Sequence, residues 1–99
     1  MGRYHLTGPA KDDIREIVRY IRERNPSASV SVRRELQAAM RRLGDFPGMG
    51  HVRDELANES LRVWSVYSYL IVYRPERKPI EVLRVVHGAR DLRRAVFGR

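Results

Sequence analysis

The sequence predicts an α+β fold in which a helical hairpin packs on a small, mainly antiparallel sheet, in the order β-α-α-β-β-β-(α). In the first half, residues 10–21 and 28–43 repeat apolar side chains at steps of three and four, which is typical of amphipathic helices. In the second half, residues 61–66, 69–74 and 80–87 are short apolar runs of strand length. We expect the helices to cover one face of the sheet, and the other face to stay partly open and carry arginines.

A short first strand is predicted at residues 3–6, where apolar and polar side chains alternate. Thr7 or Gly8 is expected to cap the helix that follows, since short polar residues and glycine satisfy the first free amides. Pro9 suits the first turn of that helix, because its missing N–H would have no partner there.

The first helix carries two carboxylates near its start, Asp12 and Asp13, which we expect in its first turn, where they favour the helix dipole. Its apolar face consists of Ala10, Ile14, Ile17, Val18 and Ile21. Asn25 is predicted to end this helix and to cap the next one, with Pro26 at the first position of the second helix. With almost no linker, the two helices should form an antiparallel hairpin.

The second helix is predicted to run from Pro26 until Gly44, a residue that commonly follows the end of a helix. Its apolar face consists of Ala28, Val32, Leu36, Ala39, Met40 and Leu43. Residues 45–50 contain two glycines and a proline and are predicted as a loop. Residues 51–60 are polar, and the pattern leaves open whether they hold a short edge strand or a turn.

The strands at residues 61–66 and 69–74 are separated only by Tyr67 and Ser68, which predicts a tight hairpin. Aromatic and basic side chains interleave here, an arrangement that can stack on nucleic acid. We favour ordinary cross-strand packing, because alternate residues must fill the core under the helices. A last short helix is predicted at residues 90–97.

The stretch Ile80–His87 is predicted as a central strand, because apolar residues fall on both of its faces. Ile80, Val82 and Val86 are expected to point one way, and Leu83 and Val85 the other. Arg84 lies inside this strand and must reach solvent or pair with a carboxylate, for which Glu55 or Asp91 is the expected partner. Asp91 is also suited to cap the last helix. His87 is expected to be a hydrogen-bonded structural residue at the strand end.

Composition excludes several classes of protein and site. The chain has 99 residues, enough for one core, and no cysteine, so neither disulfides nor thiolate metal sites are possible. Its three histidines lack the spacing of metal ligands, and we expect no metal and no cofactor. No run approaches the roughly 20 apolar residues of a membrane span, so we expect a cytoplasmic protein without a membrane partner.

The net charge of +8 is the strongest global property of the sequence. Of the 20 basic residues, 18 are arginines. Such a domain suits a polyanion or an acidic protein partner. An arginine-rich, solvated surface explains the charge equally well, so charge alone does not choose a partner.

Seven short segments follow one another along the chain in an ordered set. They are Ile17-Val-Arg-Tyr-Ile21, Asn25-Pro26, Phe46-Pro47, Gly50, Leu61-Arg62, Tyr69-Leu-Ile-Val-Tyr-Arg74 and Leu83-Arg-Val-Val-His-Gly-Ala-Arg-Asp-Leu92. No segment is specific by itself, but the set resembles the ParE toxins of the RelE/ParE toxin–antitoxin superfamily. The resemblance covers nearly the whole chain and implies a single RelE/ParE-like toxin domain at residues 1–99.

The resemblance implies a growth-inhibiting toxin that poisons DNA gyrase without being an enzyme itself. It also implies a ParD-like antitoxin that neutralises the toxin in a hetero-oligomer, with DNA contacted only through gyrase. RelE-type members share the fold but cut messenger RNA on the ribosome, so they define the alternative function.

The alternative, a ribosome-dependent endoribonuclease, needs a base, an acid and cations that converge on one phosphate. RelE-like ribonucleases have an arginine in the third strand where this chain has Leu70, and some follow a histidine with tyrosine where this chain has Gly88. These two departures favour the gyrase reading. For the alternative, the candidate catalytic residues are Arg62, Arg84 and His87.

Two sets of interaction residues follow from the predicted surfaces. The candidates for target binding are Arg84, Arg90, Arg93, Arg94 and Phe97, most of them in the basic and apolar last helix. The candidates for antitoxin binding are Ile14, Val18, Ile21, Tyr73 and Arg74, beside the helical hairpin and on the sheet. A partly disordered, acidic antitoxin segment that folds on binding would suit these basic surfaces.

Overall fold

A computed structural model describes residues 2–88 and 91–98 of the chain. It contains, in chain order, β1 (Tyr4–Leu6), α1 (Gly8–Arg24), α2 (Pro26–Asp45), β2 (Arg62–Val66), β3 (Tyr69–Arg74), β4 (Ile80–His87) and α3 (Leu92–Phe97). Two short 3₁₀ helices, Pro47–Met49 and Asp54–Glu59, lie between α2 and β2. The predicted fold class and element order are confirmed.

The sheet has four strands in the order β1-β4-β3-β2. β1 pairs with β4 in parallel, and the other neighbours pair antiparallel. The prediction that β4 is a central strand is confirmed, since β4 lies between β1 and β3.

The helix starts follow from local capping chemistry. The Thr7 hydroxyl accepts from the Ala10 amide at 3.1 Å, and the same hydroxyl donates to the Leu83 carbonyl at 2.8 Å. Asn25 caps both helices as predicted: its own amide donates to the Ile21 carbonyl at 2.7 Å, and its side chain starts α2. The expectation that Asp12 and Asp13 lie in the first turn is wrong, because α1 begins at Gly8 and its first turn contains no acidic residue.

Gly44 does not end the second helix, which continues to Asp45 and is capped by Phe46. A Cβ atom at Gly44 would overlap the backbone of Arg3, the residue that enters β1. The glycine is therefore explained by the close approach of the first strand to α2, not by a helix stop.

Both faces of the sheet are covered, so the predicted partly open face is wrong. Under α1 and α2, the buried core consists of Ala10, Leu36, Ala39, Met40, Leu43, Val66, Ile71, Tyr73, Ile80, Val82 and Val85. On the opposite face, a second core consists of Leu56, Leu61, Val63, Leu70, Val72, Val86 and Leu92. Leu56 comes from the second 3₁₀ helix and Leu92 from α3, so these two short elements form the cover.

The predicted facing of β4 side chains is wrong beyond Leu83. Val82 pairs with Tyr73 while Arg84 pairs with Val72, so the register shifts by one residue and Leu83 lies between the pairs. Such a bulge reverses the alternation. Val85 therefore joins Val82 in the core under the helices, and Val86 packs in the second core.

The loop after α2 is fixed to the sheet by Tyr73. The buried Tyr73 hydroxyl donates to the Pro47 carbonyl at 2.6 Å and accepts from the Gly50 amide at 3.0 Å. Burial raises the pKa of Tyr73 above its usual range. His51 then forms an isolated antiparallel bridge with Val63 at the outer edge of β2. These contacts give the unassigned segment its path: a single bridge followed by a 3₁₀ helix.

Candidate interaction surfaces

A groove of about 460 Å³ runs between α1, α2 and β1, and we call it the hairpin groove. Its apolar lining residues are Tyr4, Leu6, Ile14, Val18, Leu36 and Met40. Its cationic lining residues are Lys11, Arg15, Arg19, Arg22 and Arg33. Gln37 completes the lining, which includes no acidic side chain. An apolar floor with a basic rim suits an amphipathic chain segment that carries acidic residues.

The predicted antitoxin-binding residues are divided between different surfaces. Ile14 and Val18 line the hairpin groove, whereas the half-buried Ile21 does not. Tyr73 is fully buried, so a docking partner cannot contact its side chain in this conformation. Arg74 donates to the Glu59 carbonyl at 3.4 Å, a contact on the sheet face opposite the helices. Sequence reasoning missed the five rim cations, although Lys11, Arg15 and Arg22 share a helix side with Val18.

Arg84 has a carboxylate partner that the sequence did not predict, Asp13 of α1. Its Nε donates to Asp13 Oδ2 at 2.6 Å and its Nη2 to Oδ1 at 2.8 Å, a bidentate pair. Glu55 and Asp91, the expected partners, are engaged elsewhere: Glu55 pairs with Arg53, and Asp91 caps α3. The bond to the Asp13 carboxylate raises the pKa of Arg84 above its already high value, so its charge is permanent.

Asp13 also completes the edge of β4. β1 ends at Leu6, and its pairing with β4 reaches only Val82. Three residues further along β4, Asp13 Oδ2 accepts from the Val85 amide at 2.9 Å. The Asp13 carboxylate thus accepts a hydrogen bond from a β4 amide that a longer β1 would otherwise pair. Without it the Val85 amide would lack a partner, which costs free energy for a buried donor.

The C-terminal helix carries most of the predicted target-binding residues. Leu92 is buried, whereas Arg93, Arg94 and Phe97 are exposed. Arg93 donates to the Glu55 carbonyl at 3.3 Å, and its guanidinium lies 5.1 Å from the centroid of the Phe97 ring. Arg90, another candidate, lies outside the described residues. The prediction that Asp91 caps this helix is confirmed, since its side chain accepts from the Arg94 amide at 3.2 Å.

The three candidate ribonuclease residues make separate contacts. Arg62 donates to the Gly50 carbonyl at 2.8 Å, and Arg84 is held by Asp13. His87 is exposed, and its ring makes an edge contact with Tyr69 at a centroid distance of 5.8 Å. Arg84 and His87 line one groove of about 580 Å³, which we call the strand-end groove, but Arg62 does not.

The strand-end groove differs in charge from the hairpin groove, although α1 borders both. It is lined by Asp13, Glu16, Ile17, Tyr20, Tyr69, Arg84, Val85, Val86 and His87. Two carboxylates therefore stand where a phosphate-binding site would need cations. Among residues 2–88 and 91–98, no group of three metal-ligating side chains is present.

The aromatic residues of the β2–β3 hairpin mostly pack within the protein. Trp64 stacks on His51 with ring centroids 5.8 Å apart, and Arg42 lies 6.0 Å from the Trp64 centroid. Tyr73 is buried, while Tyr67 occupies the turn in the left-handed region with φ 53° and is exposed. Tyr67 alone of these aromatic side chains has the exposure that a stacking platform requires.

The architecture is that of a toxin–antitoxin protein of known structure. A chain of a solved structure described as the chromosomal ParDE TA system from P. aeruginosa superposes with a TM-score of 0.72. The match covers 88% of this chain and 96% of that chain at 16% sequence identity, so it shows a shared fold. Within the part of the chain that the structure describes, no helix is both long and apolar enough to cross a membrane.

The sequence relationship identifies the family. The model of the family described as ParE toxin of type II toxin-antitoxin system, parDE, matches residues 4–92. Toxin ParE3 of Caulobacter vibrioides is 31% identical over 94 residues, covering 93% of this chain and 92% of its own. Toxin ParE1 of the same organism is also 31% identical over 94 residues, covering 94% of this chain and 96% of its own. The chain belongs to the ParE toxin family.

Proposed function

We propose that this ParE-family toxin inhibits DNA gyrase as a topoisomerase poison and that a ParD-like antitoxin holds it inactive. Gyrase is favoured over messenger RNA as the target because the candidate catalytic groups do not converge on one site. Arg62 donates to the Gly50 carbonyl and lies outside the strand-end groove, Arg84 is held by Asp13, and Leu70 is buried in the second core. A ribonuclease needs its cations and its acid or base on one phosphate.

The antitoxin is proposed to bind in the hairpin groove. Ile14 and Val18 offer apolar contacts there, and the five rim cations favour an acidic segment. A disordered antitoxin segment that folds as it binds would bury the apolar floor while its carboxylates meet the rim. The toxin and antitoxin then form a hetero-oligomer.

The target surface is proposed to be α3 and its surroundings. Exposed Arg93, Arg94 and Phe97 combine charge with an aromatic ring, the combination that is enriched at protein interfaces. Arg90 precedes this helix and belongs to the same proposed surface. Any DNA contact is made through the gyrase complex, and the action takes place in the cytoplasm.

Messenger RNA cleavage on the ribosome is the second candidate, and one observation favours it. Arg84 and His87 line the same groove, so a cation and a titratable ring lie near each other. The Asp13 and Glu16 carboxylates in that groove oppose phosphate binding, which makes this the weaker of the two functions.

The two functions are separated by one experiment in growing cells. The toxin is expressed with and without the antitoxin gene, and gyrase–DNA cleavage complexes are quantified beside primer extension on translated messages. We expect growth arrest with an increase in cleavage complexes, relieved by the antitoxin. Discrete, codon-linked RNA ends with unchanged cleavage complexes would overturn gyrase inhibition in favour of the ribonuclease.

The antitoxin site is tested by calorimetric titration of the purified pair at two salt concentrations. Val18→Glu puts a carboxylate on the floor of the hairpin groove, and we expect weaker binding by about tenfold or more, as for loss of a central apolar contact. Val30→Glu is the matched control, since Val30 is exposed on α2 and does not line the groove. An affinity that does not change with salt would exclude the electrostatic part of the proposal.

A further inference from the structure

We propose that Asp13 and Arg84 are positioning residues that hold α3 in place, so that a side chain of α1 sets the surface offered to the target. The importance of that surface rests on the proposed function, but the positioning of α3 does not. Neither residue lines the hairpin groove, and Arg84 contacts α3 through the backbone carbonyl of Ala95.

The geometry of Arg84 joins two elements that are far apart in sequence. Asp13 takes two of its donors, which fixes the plane of the guanidinium. The remaining nitrogen, Nη1, donates to the Ala95 carbonyl of α3. Asp13 is fixed in turn by the Val85 amide of β4. The pair is only partly exposed, with side-chain exposures of 23% for Arg84 and 15% for Asp13, so solvent screens it less than a surface pair.

The helix that receives this bond has few other attachments. It has six residues, and an isolated helix that short is not stable in water. One buried side chain, Leu92, anchors it to the second core, with Ala95 and Val96 partly buried against that core. Arg93 contributes an exposed hydrogen bond to the Glu55 carbonyl and an exposed ion pair with Glu59 at 3.6 Å, both to the second 3₁₀ helix. Loss of the bond between Arg84 and the Ala95 carbonyl is therefore expected to shift the equilibrium from docked towards detached α3.

An alternative role for the pair is general stabilisation of the fold, since Asp13 also satisfies the edge of β4. The two roles differ in where the protein responds. General stabilisation affects the whole fold equally, whereas positioning affects α3 more than the core under the long helices.

The test is amide hydrogen exchange, measured by NMR on the full chain. The α3 probes are the Ala95 and Gly98 amides, which donate within this helix. The core probe is the Met40 amide in the interior of α2, whose side chain is buried in the core under the long helices. In Asp13→Asn we expect α3 exchange to rise by about tenfold relative to the core probe, because bonds to charged groups are stronger than neutral ones. Arg84→Lys is expected to act in the same direction. A lysine ammonium lacks the planar set of donors that lets Arg84 bond both Asp13 oxygens and the Ala95 carbonyl at once.

The matched control is Asp12→Asn, which removes the same charge from the neighbouring residue. Asp12 pairs with Arg15 at 3.3 Å on the exposed side of α1, and we expect wild-type exchange at both probes. Unchanged α3 exchange in both test variants, or an equal rise at α3 and core probes, would overturn the positioning role.

A functional readout separates this inference from the proposed function. We expect Asp13→Asn to weaken gyrase inhibition by the factor by which it lowers the docked fraction of α3, as obtained from the exchange data, while its affinity for the antitoxin stays that of the wild type. If wild-type toxin has no effect on gyrase, the proposed function fails, and the exchange data still decide the positioning. A variant with detached α3 and full gyrase inhibition would show that α3 does not present the target surface.

Discussion

The two faces of the sheet are covered by elements of very different length. On one face lie α1 and α2, with 17 and 20 residues, whose apolar sides bury a continuous core. On the other face lie a 3₁₀ helix and α3, with six residues each. The first cover is tied to the sheet over several helical turns, while the second depends on Leu56, Leu92 and a few polar bonds.

This difference assigns different physical roles to the two faces. Long amphipathic helices on a sheet form a scaffold that opens only when the whole domain unfolds. A six-residue helix held by one buried leucine can detach at a lower free energy. The hairpin groove is therefore a preformed binding surface. The surface on α3 is present only in the docked state of this helix, and the population of that state depends on the contacts that attach it.

The largest expected effect tests the comparison directly with two leucine truncations. Leu36→Ala leaves a cavity in the core under the helices and should lower the free energy of unfolding by about 3–4 kcal/mol. Leu92→Ala should cost about 1–2 kcal/mol, less than the usual range for a buried leucine, because α3 can detach while the rest stays folded. Urea unfolding followed by circular dichroism measures both. Equal losses would show that the two covers are equally integral to the fold.

Tyr73→Phe tests how firmly the loop after α2 is fixed to the scaffold. Removing the hydroxyl leaves the Pro47 carbonyl and the Gly50 amide without their partner, at a cost of about 2 kcal/mol. Because folding raises the pKa of Tyr73, its contribution to stability is present below about pH 10 and is lost as the pH rises through the folded-state pKa.

Thermal unfolding of the wild type and of Tyr73→Phe across alkaline pH measures how the contribution of Tyr73 to stability depends on pH. The wild type should lose more stability than the variant above about pH 10, where tyrosine titrates in the unfolded chain. Parallel losses in both proteins would assign the alkaline sensitivity to other groups.

Gly44→Ala tests the contact between β1 and the scaffold. Helix propensity alone predicts that alanine stabilises a helix interior by about 1 kcal/mol. A Cβ atom there would overlap the Arg3 backbone, so we expect a net loss of about 1–2 kcal/mol. Gly8→Ala is the control, since a Cβ at Gly8 meets nothing within 4 Å. A stabilising Gly44→Ala would contradict the close approach.

The smallest expected effect on stability belongs to the exposed arginines of α3. Arg93→Ala combined with Arg94→Ala removes only exposed contacts and should change the free energy of unfolding by less than about 0.5 kcal/mol. Chemical denaturation beside the wild type measures it. A large loss would mean that these side chains hold the second cover in place and are not free to contact a partner.

The sequence predicts the elements whose causes are local. Asn25 and Thr7 cap helices through hydrogen bonds to residues three positions away, and the helical periodicity of α1 and α2 needs no tertiary information. Strand lengths and the central position of β4 follow from hydrophobic patterning. These features are fixed by spacing alone.

What the sequence does not reveal depends on contacts between distant segments. Asp13 and Arg84 are 71 positions apart, and the sequence pattern favours Glu55 or Asp91 as the partner instead. Gly44 has the signal of a helix stop, but the approach of Arg3 explains it. The second core could not be predicted from the sequence, because Leu56 lies in a polar stretch without strand or helix periodicity. The bulge at Leu83 reverses side-chain facing without a marker such as glycine.

The most direct test of gyrase inhibition through α3 uses purified gyrase, supercoiled DNA and the toxin. The wild type should increase the cleaved DNA, and the Arg93→Ala, Arg94→Ala double variant should do so at least about tenfold less well while remaining folded, as expected if these arginines are interface hot spots. Val30→Ala serves as the control on the opposite face. Wild-type cleavage by the double variant would contradict the assignment of α3, and no cleavage by the folded wild type would contradict gyrase as the target.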